Sequence, residues 1–305
     1  MTEKPPLLSE GEESESFLAE LESEGEAREI AGLESGFSSL SRALNGILPG
    51  LYLLIGQPSC GKTAFARQLC DQIAAHNSVP AIFFSFAESK KDLRVRTLAR
   101  LSGVEAGEIL RGSGFLLHWY GVPRKRNPSS PSWERVKSAA EEAKSWLGLV
   151  YLCEGNEKTD FGEIERQIRS VQGAGKSARI MAVIDDSQRL GPRELAIDSR
   201  LPLVAEKLHG MAGNLKVPIV ATWPDLRKEG TFPGAVPQAW AERVAGADVI
   251  LVMEENPERT KKLTEPNRAV DLHVVKNRGG ERRKLPFDFM PAFSRFTEAD
   301  AGSSP

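Results

Sequence analysis

Leu51-Tyr52-Leu53-Leu54-Ile55-Gly56-Gln57-Pro58-Ser59-Cys60-Gly61-Lys62-Thr63-Ala64-Phe65 is the stretch on which the fold turns. Its first five residues are apolar or aromatic, as in a strand buried on both faces of a parallel sheet. Residues 56–63 then match G-x-x-x-x-G-K-[ST] at every fixed position. That spacing has a physical reason. Glycines let the chain turn tightly, so that successive N–H groups converge on an anion. A helix opening at Lys62 adds the positive end of its dipole. Lys62 is then placed to reach the outer phosphates of a nucleoside triphosphate, and the Thr63 hydroxyl to hold Mg²⁺. The expected phosphate-binding set is Gly56, Gln57, Pro58, Ser59, Cys60, Gly61, Lys62, Thr63 and Ala64. Cys60 admits two readings: a thiol whose pKa is lowered by the surrounding amides, or simply a small loop residue. Downstream, Phe65, Leu69 and Ile73 recur every four residues, which predicts the buried face of a helix.

Outward from this stretch the alternation repeats. Short apolar runs at 81–86, 149–153, 180–185, 218–222, 248–253 and 271–276 predict strands to join 51–55, with helical patterns between them. This order predicts an α/β fold, a mostly parallel twisted sheet flanked by helices. Ile164, Ile168 and Val171 are spaced as the core face of one helix, with Thr159 or Asp160 as its N-cap. The run Ile180-Met181-Ala182-Val183-Ile184 ends in Asp185-Asp186. A carboxylate at the carboxyl end of a buried strand lies beside the phosphate site of such sheets. Asp185, ahead of Asp186, is therefore the expected metal-binding acid alongside Thr63. Glu88 follows the 81–86 strand at the same edge, where a carboxylate can orient an attacking water. Its other reading is a surface acid capping the helix that starts near Ser89.

Composition bounds the rest. The 305 residues are 40% hydrophobic and 27% charged, enough for a sizeable core. A formal charge of −2 conceals an asymmetry, because residues 1–34 hold eleven Glu against Lys4 and Arg28. That segment carries −9, and the remainder +7. Residues 1–34 are expected to be an acidic disordered tail, or a docking segment, through Phe17, Leu18 and Leu21, for a protein partner or for the chain's own basic face. Residues 121–131 are expected to form a surface loop and 298–305 a frayed end. Cys60, Cys70 and Cys153 have no metal-ligand spacing and give no disulfide framework, so the expected compartment is the cytoplasm. No apolar run approaches the ~18 residues of a membrane span.

Taken together and in order, these segments resemble the motor domain of DnaB-type replicative helicases, from about Ser35 to Phe296. The resemblance begins with Ser35-Gly36-Phe37-Ser38-Ser39-Leu40 and Asn45-Gly46-Ile47-Leu48-Pro49-Gly50. It runs through Pro58-Ser59, Gly61-Lys62-Thr63-Ala64, Phe83-Phe84-Ser85 with Ser89-Lys90, and Trp133-Glu134-Arg135. Asp185 with Gln188, Val217-Pro218, Ala247-Asp248-Val249, Lys276-Asn277-Arg278-Gly279-Gly280 and Ser294-Arg295-Phe296 complete it.

The resemblance implies a RecA-like P-loop NTPase domain at 35–297 with a C-terminal β extension, hydrolysing ATP with Mg²⁺. It implies a ring or filament, a hexamer above all, in which Lys276 and Arg278 reach into the neighbouring subunit's nucleotide. It further implies single-stranded DNA held on two loops, one carrying Arg189, Arg193 and Arg200, the other Arg227 and Lys228 with Trp223 and Phe232 beside them.

The chain also departs from the family. Ala87 stands where the family has its water-activating glutamate, and Glu88 lies one place later, matching the second of two glutamates in KaiC- and RadA-like relatives. Thr222-Trp223-Pro224 replaces the Leu-Ser-Gln of the sensor strand, and the loop at 227–236 is shorter. The N-terminal primase-binding domain is expected to be missing. Two alternatives stay open: a nucleotide-binding accessory or loader with little hydrolysis, and a RadA- or KaiC-like regulatory or recombination ATPase.

Overall fold

Every residue of β1 (Gly50–Gly56) is buried, and its side chains alternate between two cores. Tyr52 and Leu54 join one, while Leu51, Leu53 and Ile55 join the other. Burial on both faces explains why the strand reads as one apolar run. The computed structural model describes residues 30–112, 131–174, 179–225 and 244–299, with Ser9, Ser14 and Leu18. The acidic tail as far as 29, apart from those three residues, and the loop expected at 121–131, apart from Pro131, lie outside the described residues.

In chain order, α1 (Ser38–Leu44) precedes β1, then come α2 (Lys62–Asn77), β2 (Ala81–Ser85), α3 (Lys90–Ser102) and α4 (Ala106–Gly112). After them follow α5 (Pro131–Glu142), α6 (Lys144–Leu147), β3 (Val150–Glu154), α7 (Phe161–Ala174) and β4 (Met181–Asp185). The last part holds α8 (Ile197–Leu215), β5 (Pro218–Pro224), β6 (Val249–Glu255), α9 (Pro257–Thr260), β7 (Arg268–Asn277), β8 (Lys284–Met290) and β9 (Arg295–Glu298).

The nine strands form one sheet in the order β3-β2-β4-β5-β1-β6-β7-β8-β9. Strands β1 to β6 run parallel, and β7, β8 and β9 extend the sheet antiparallel. Helix α2 covers one face through Phe65, Leu69 and Ile73. Helices α7 and α8 cover the other, with Ile164, Ile168 and Val171 buried as their spacing predicts. Asp160 is the cap of α7, its Oδ1 accepting the Glu163 N–H at 2.8 Å. A satellite cluster of Val95, Ala99, Val104, Ile109 and Val136 joins α3, α4 and α5. No helix of the described residues is long and apolar enough to cross a membrane.

The C-terminal strands reach back onto α2. Phe65 meets Phe287 and Phe296 edge-on, with ring centroids 5.6 and 5.2 Å away, and stacks on Phe37 at 5.2 Å. The Gln68 side chain donates to the Phe296 carbonyl at 2.9 Å and accepts the Phe296 N–H at 2.8 Å. The frayed end expected from residue 298 does not include Glu298, which belongs to β9 and whose carboxylate accepts the Ser38 and Ser39 N–H groups at 3.0 and 2.6 Å; residues 300–305 lie outside the described residues. An acid at the start of α1 is favoured by the helix dipole. At the other boundary the fold begins before Ser35, since Leu33 is buried and bridges Ile47.

Truncating Phe287, fully buried at the centre of this aromatic cluster, removes contacts to both α2 and Phe37. Phe287→Ala is expected to lower unfolding stability by about 3–5 kcal/mol, read as a fall in the urea midpoint at unchanged m-value.

Candidate functional site: the phosphate-loop cleft

The loop after β1 is shaped by two backbone constraints. Gly61 has φ +100, and a Cβ there would lie 2.9 Å from the Phe296 ring and 3.0 Å from that of Phe289. Gly56 is tight as well, because a Cβ would approach Cys60 Sγ to 2.7 Å. Gly61 is also the N-cap of α2 and offers no side chain to its amides, so the first turn keeps N–H groups without helical acceptors. Arg268 braces the loop from β7, donating to the Ser59 carbonyl at 3.1 Å while its guanidinium lies over the Phe289 ring. Lys62 folds back on the loop and donates to the Gly56 and Gln57 carbonyls, both at 2.8 Å. Cys60 is buried, and burial pushes its thiol above the ordinary range. The reading of Cys60 as an activated thiol is thereby corrected: it is a small loop residue.

At the end of β4, Asp185 is fully buried. Its Oδ2 accepts the Thr63 hydroxyl at 2.9 Å and its Oδ1 the Thr222 hydroxyl at 2.8 Å. Burial, opposed by the Thr222 hydrogen bond, pushes the carboxyl up to about 6. Thr222 also accepts the Asp186 N–H at 2.8 Å, which holds Asp186 in a left-handed turn with φ 57. An anionic oxygen beside a hydroxyl oxygen fits Mg²⁺, which binds through one or two protein oxygens and takes the rest from phosphates and water. Among the described residues no three His, Cys, Asp or Glu side chains are gathered as a metal site.

These groups open into a cleft of about 510 Å³ lined by Lys62, Thr63, Glu88, Arg96, Asp186 and Gln188, among others. Four predicted residues are thus brought together: Lys62, Thr63, Glu88 and, beneath them, Asp185. Glu88 does not cap α3. Ser89 does, in a capping box with Asp92, while the Glu88 carboxylate is held by Arg96 at 2.5 and 2.7 Å.

Lys276 and Arg278 lie elsewhere. β7 is antiparallel to β6, so they sit at the amino ends of the parallel strands, a strand length or roughly 20 Å from the loop. Lys276 donates to the Val244 and Ala245 carbonyls at 3.3 and 2.9 Å, and burial lowers its pKa. Arg278 pairs with Asp248 at 3.1 Å.

The loop arginines are unequal. Arg200 is committed to the Leu195 and Gln188 carbonyls, both at 2.9 Å, and Arg193 pairs with Glu157. Arg189 is exposed. Arg227, Lys228 and Phe232 lie outside the described residues. Trp223 is fully buried in the core and presents no face for a base to stack on, which removes it from the expected nucleic-acid loop. Sequence reasoning missed Arg96, Thr222 and Arg268. Thr222 carried a faint signal as the one hydroxyl in an apolar strand, and the two arginines carried none.

Asp185 gives this geometry a measurable consequence. Its folded-state pKa lies above the ordinary 3.8, so its contribution to stability is intact below about pH 4 and lost as pH rises through about 6. A shift of about two units corresponds to ~3 kcal/mol. Asp185→Asn gives up one hydrogen-bond acceptor, ~1 kcal/mol, and abolishes the larger ionisation penalty. The thermal midpoint of the nucleotide-free variant is expected to exceed wild type by a few degrees at pH 8, with the gap closing towards pH 4. Equal or lower midpoints at pH 8 would contradict this.

Comparison with known proteins agrees with the geometry. A family model described as the DnaB-like helicase C terminal domain matches residues 32–298. The replicative DNA helicase DnaB of Pasteurella multocida (strain Pm70) is 25% identical over 281 residues, covering 88% of this chain and 55% of that protein. The DnaB of Nostoc sp. (strain PCC 7120 / SAG 25.82 / UTEX 2576) is 27% identical over 206 residues, 66% of this chain and 21% of that protein. The chain spans about half the length of the first of these relatives. Among solved structures, one ATPase domain superposes with a TM-score of 0.77 at 20% identity, covering 96% of this chain and 99% of that one. A DnaB-like replicative helicase studied for its interactions with primase gives 0.75 at 19% identity, covering 93% and 67%. These likenesses establish a RecA-like α/β fold with C-terminal antiparallel strands. With the family model spanning most of its length, the chain belongs to the DnaB-like helicase C-terminal domain family.

Proposed function

We propose that this chain is an ATP-hydrolysing motor subunit that uses Mg²⁺, assembles into a ring or filament, and acts on single-stranded DNA. The observation that carries the nucleotide part is the convergence of Lys62, Thr63 and Glu88 on one cleft, with Asp185 hydrogen-bonded to Thr63 beneath it. The loop amides and Lys62 would hold the phosphates. Thr63 and Asp185 would hold Mg²⁺, which supplies charge neutralisation on the phosphoryl oxygens. Glu88 would orient water for attack. The new water–phosphorus bond replaces the bond to the bridging oxygen, releasing ADP and inorganic phosphate.

Assembly is supported by the placement of Lys276 and Arg278. At the far end of the sheet from their own phosphate loop they have no route to their own nucleotide, whereas a neighbour's site comes within reach in a head-to-tail ring. A hexamer is the form the family suggests. Arg189, exposed in the loop after β4, would be open to a phosphate backbone. Contacts of that kind weaken with salt.

A second reading, an accessory or loader that binds ATP with little turnover, is favoured by one observation: both Glu88 carboxylate oxygens are engaged by Arg96.

Phosphate release from Mg-ATP, measured with and without an oligo-dT strand, separates the readings. The motor reading expects DNA-stimulated release that Lys62→Ala abolishes. Release no greater than that of Lys62→Ala overturns it in favour of the accessory. The trans assignment has its own test. Loss of a finger residue lowers turnover by about a thousandfold, so Arg278→Ala should be nearly inactive. Mixing it with inactive Lys62→Ala should restore part of the activity, because the mixed interface pairs an intact cleft with an intact finger. Mixtures no more active than either parent would place the arginine's role within its own subunit.

A further inference from the structure

Arg96 has no place in the motif-based reading, yet it is the best-connected basic side chain in the cleft. It extends from α3 with Nε and Nη2 on the two oxygens of Glu88. Its Nη1 donates to Ser294 Oγ at 2.7 Å. Ser294 is buried, in a left-handed turn with φ 50 between β8 and β9, two residues from Phe296, which packs on α2. The guanidinium is thus pinned by the C-terminal hairpin on one side and by the candidate base on the other, and it lines the same cleft as Lys62 and Thr63. Desolvation pulls its pKa down, but the Glu88 hydrogen bonds and the Glu88, Asp185 and Asp92 charges outweigh it and hold the group charged.

A bidentate pair occupies an inward lone pair on each carboxylate oxygen. While it persists, Glu88 cannot use those positions to take a proton from water. Phosphoryl oxygens are strong competitors for a planar guanidinium, which binds them in the same two-pronged manner.

We propose that Arg96 is an exchanging clamp: it holds Glu88 while the cleft lacks a triphosphate and passes to the terminal phosphoryl oxygens when one binds, releasing Glu88 to orient water. This rests on the reading of the cleft as a nucleotide site. Under it, Arg96 reads the presence of the third phosphate from within its own subunit, a task left open by the Thr222-Trp223-Pro224 segment, where Thr222 is occupied with Asp185 and Trp223 is buried. Ser294 holds the guanidinium near the cleft through the exchange.

The exchange makes predictions of opposite sign for the two partners, which a fixed structural ion pair does not. The affinities of the full chain for Mg-ATP and Mg-ADP are measured by calorimetry in wild type, Arg96→Gln and Glu88→Gln. Losing a charge-assisted contact to the terminal phosphate should weaken Mg-ATP binding in Arg96→Gln by about tenfold, with Mg-ADP affinity within about twofold of wild type. Removing the competing carboxylate in Glu88→Gln should strengthen Mg-ATP binding several-fold, again without effect on Mg-ADP, while phosphate release is lost. The Glu88→Gln arm stands by itself if Arg96→Gln fails to fold. Equal loss of both nucleotides in Arg96→Gln, or an ATP-to-ADP affinity ratio unchanged in Glu88→Gln, overturns the exchange and leaves the nucleotide site intact. Absence of binding of either nucleotide to wild type would overturn the nucleotide site and the exchange together.

Discussion

A carboxylate buried among hydroxyls, with no ion pair among the described residues, is the constraint around which this molecule is arranged. Asp185 ends the interior strand β4 at full burial, tied to Thr63 at the start of α2 and to Thr222 near the end of β5. Three elements are therefore locked in register by one side chain. The lock works against stability, since burying an ionised carboxylate without an ion-pair partner is unfavourable and its pKa rises to about 6 as a result. Under the proposed function, a group kept at that cost would serve to hold a cation beside a polyphosphate. The fold carries the destabilisation because the strands around it are apolar on both faces and packed against helices on each side.

The antiparallel extension ties the two ends of the site together. Strands β8 and β9 close over α2 through Phe287 and Phe296, and the Phe289 and Phe296 rings lie close enough to Gly61 that a Cβ there would meet them at 3.0 and 2.9 Å. The same hairpin reaches Glu88 through Ser294 and Arg96. Strand β7 spans the length of the sheet, with Arg268 bracing the phosphate loop at one end and Lys276 and Arg278 at the other. A shift of β7 would be felt at both ends, and under the proposed function this would couple the cleft to the surface that carries Lys276 and Arg278.

Much of this was legible in the sequence, for identifiable reasons. The parallel strands read as unbroken apolar runs because both faces are buried, and the phosphate loop has a spacing that few other backbones need. Asp185 was legible because an acid at the end of such a run has few other uses. Strands β8 and β9 escaped as bounded elements because β8 buries only Leu285, Phe287 and Phe289, with Pro286 and Asp288 breaking the run. Arg96 escaped because its role depends on contacts 8 and 198 residues away in sequence, and no local pattern marks an arginine for them. Trp223, which the sequence places beside the second basic loop, is buried in the core because it belongs to β5.

The proposed function requires the 56–63 loop, Lys62 and the Thr63–Asp185 pair to act as one anion and metal site. Titration calorimetry of wild-type chain with ATP, with and without Mg²⁺, tests this most directly when repeated with Asp185→Asn. A saturable binding heat that Mg²⁺ strengthens is expected in wild type, with the Mg²⁺ dependence lost in Asp185→Asn. No binding heat in the folded wild-type protein, or equal enhancement by Mg²⁺ in both proteins, would contradict it.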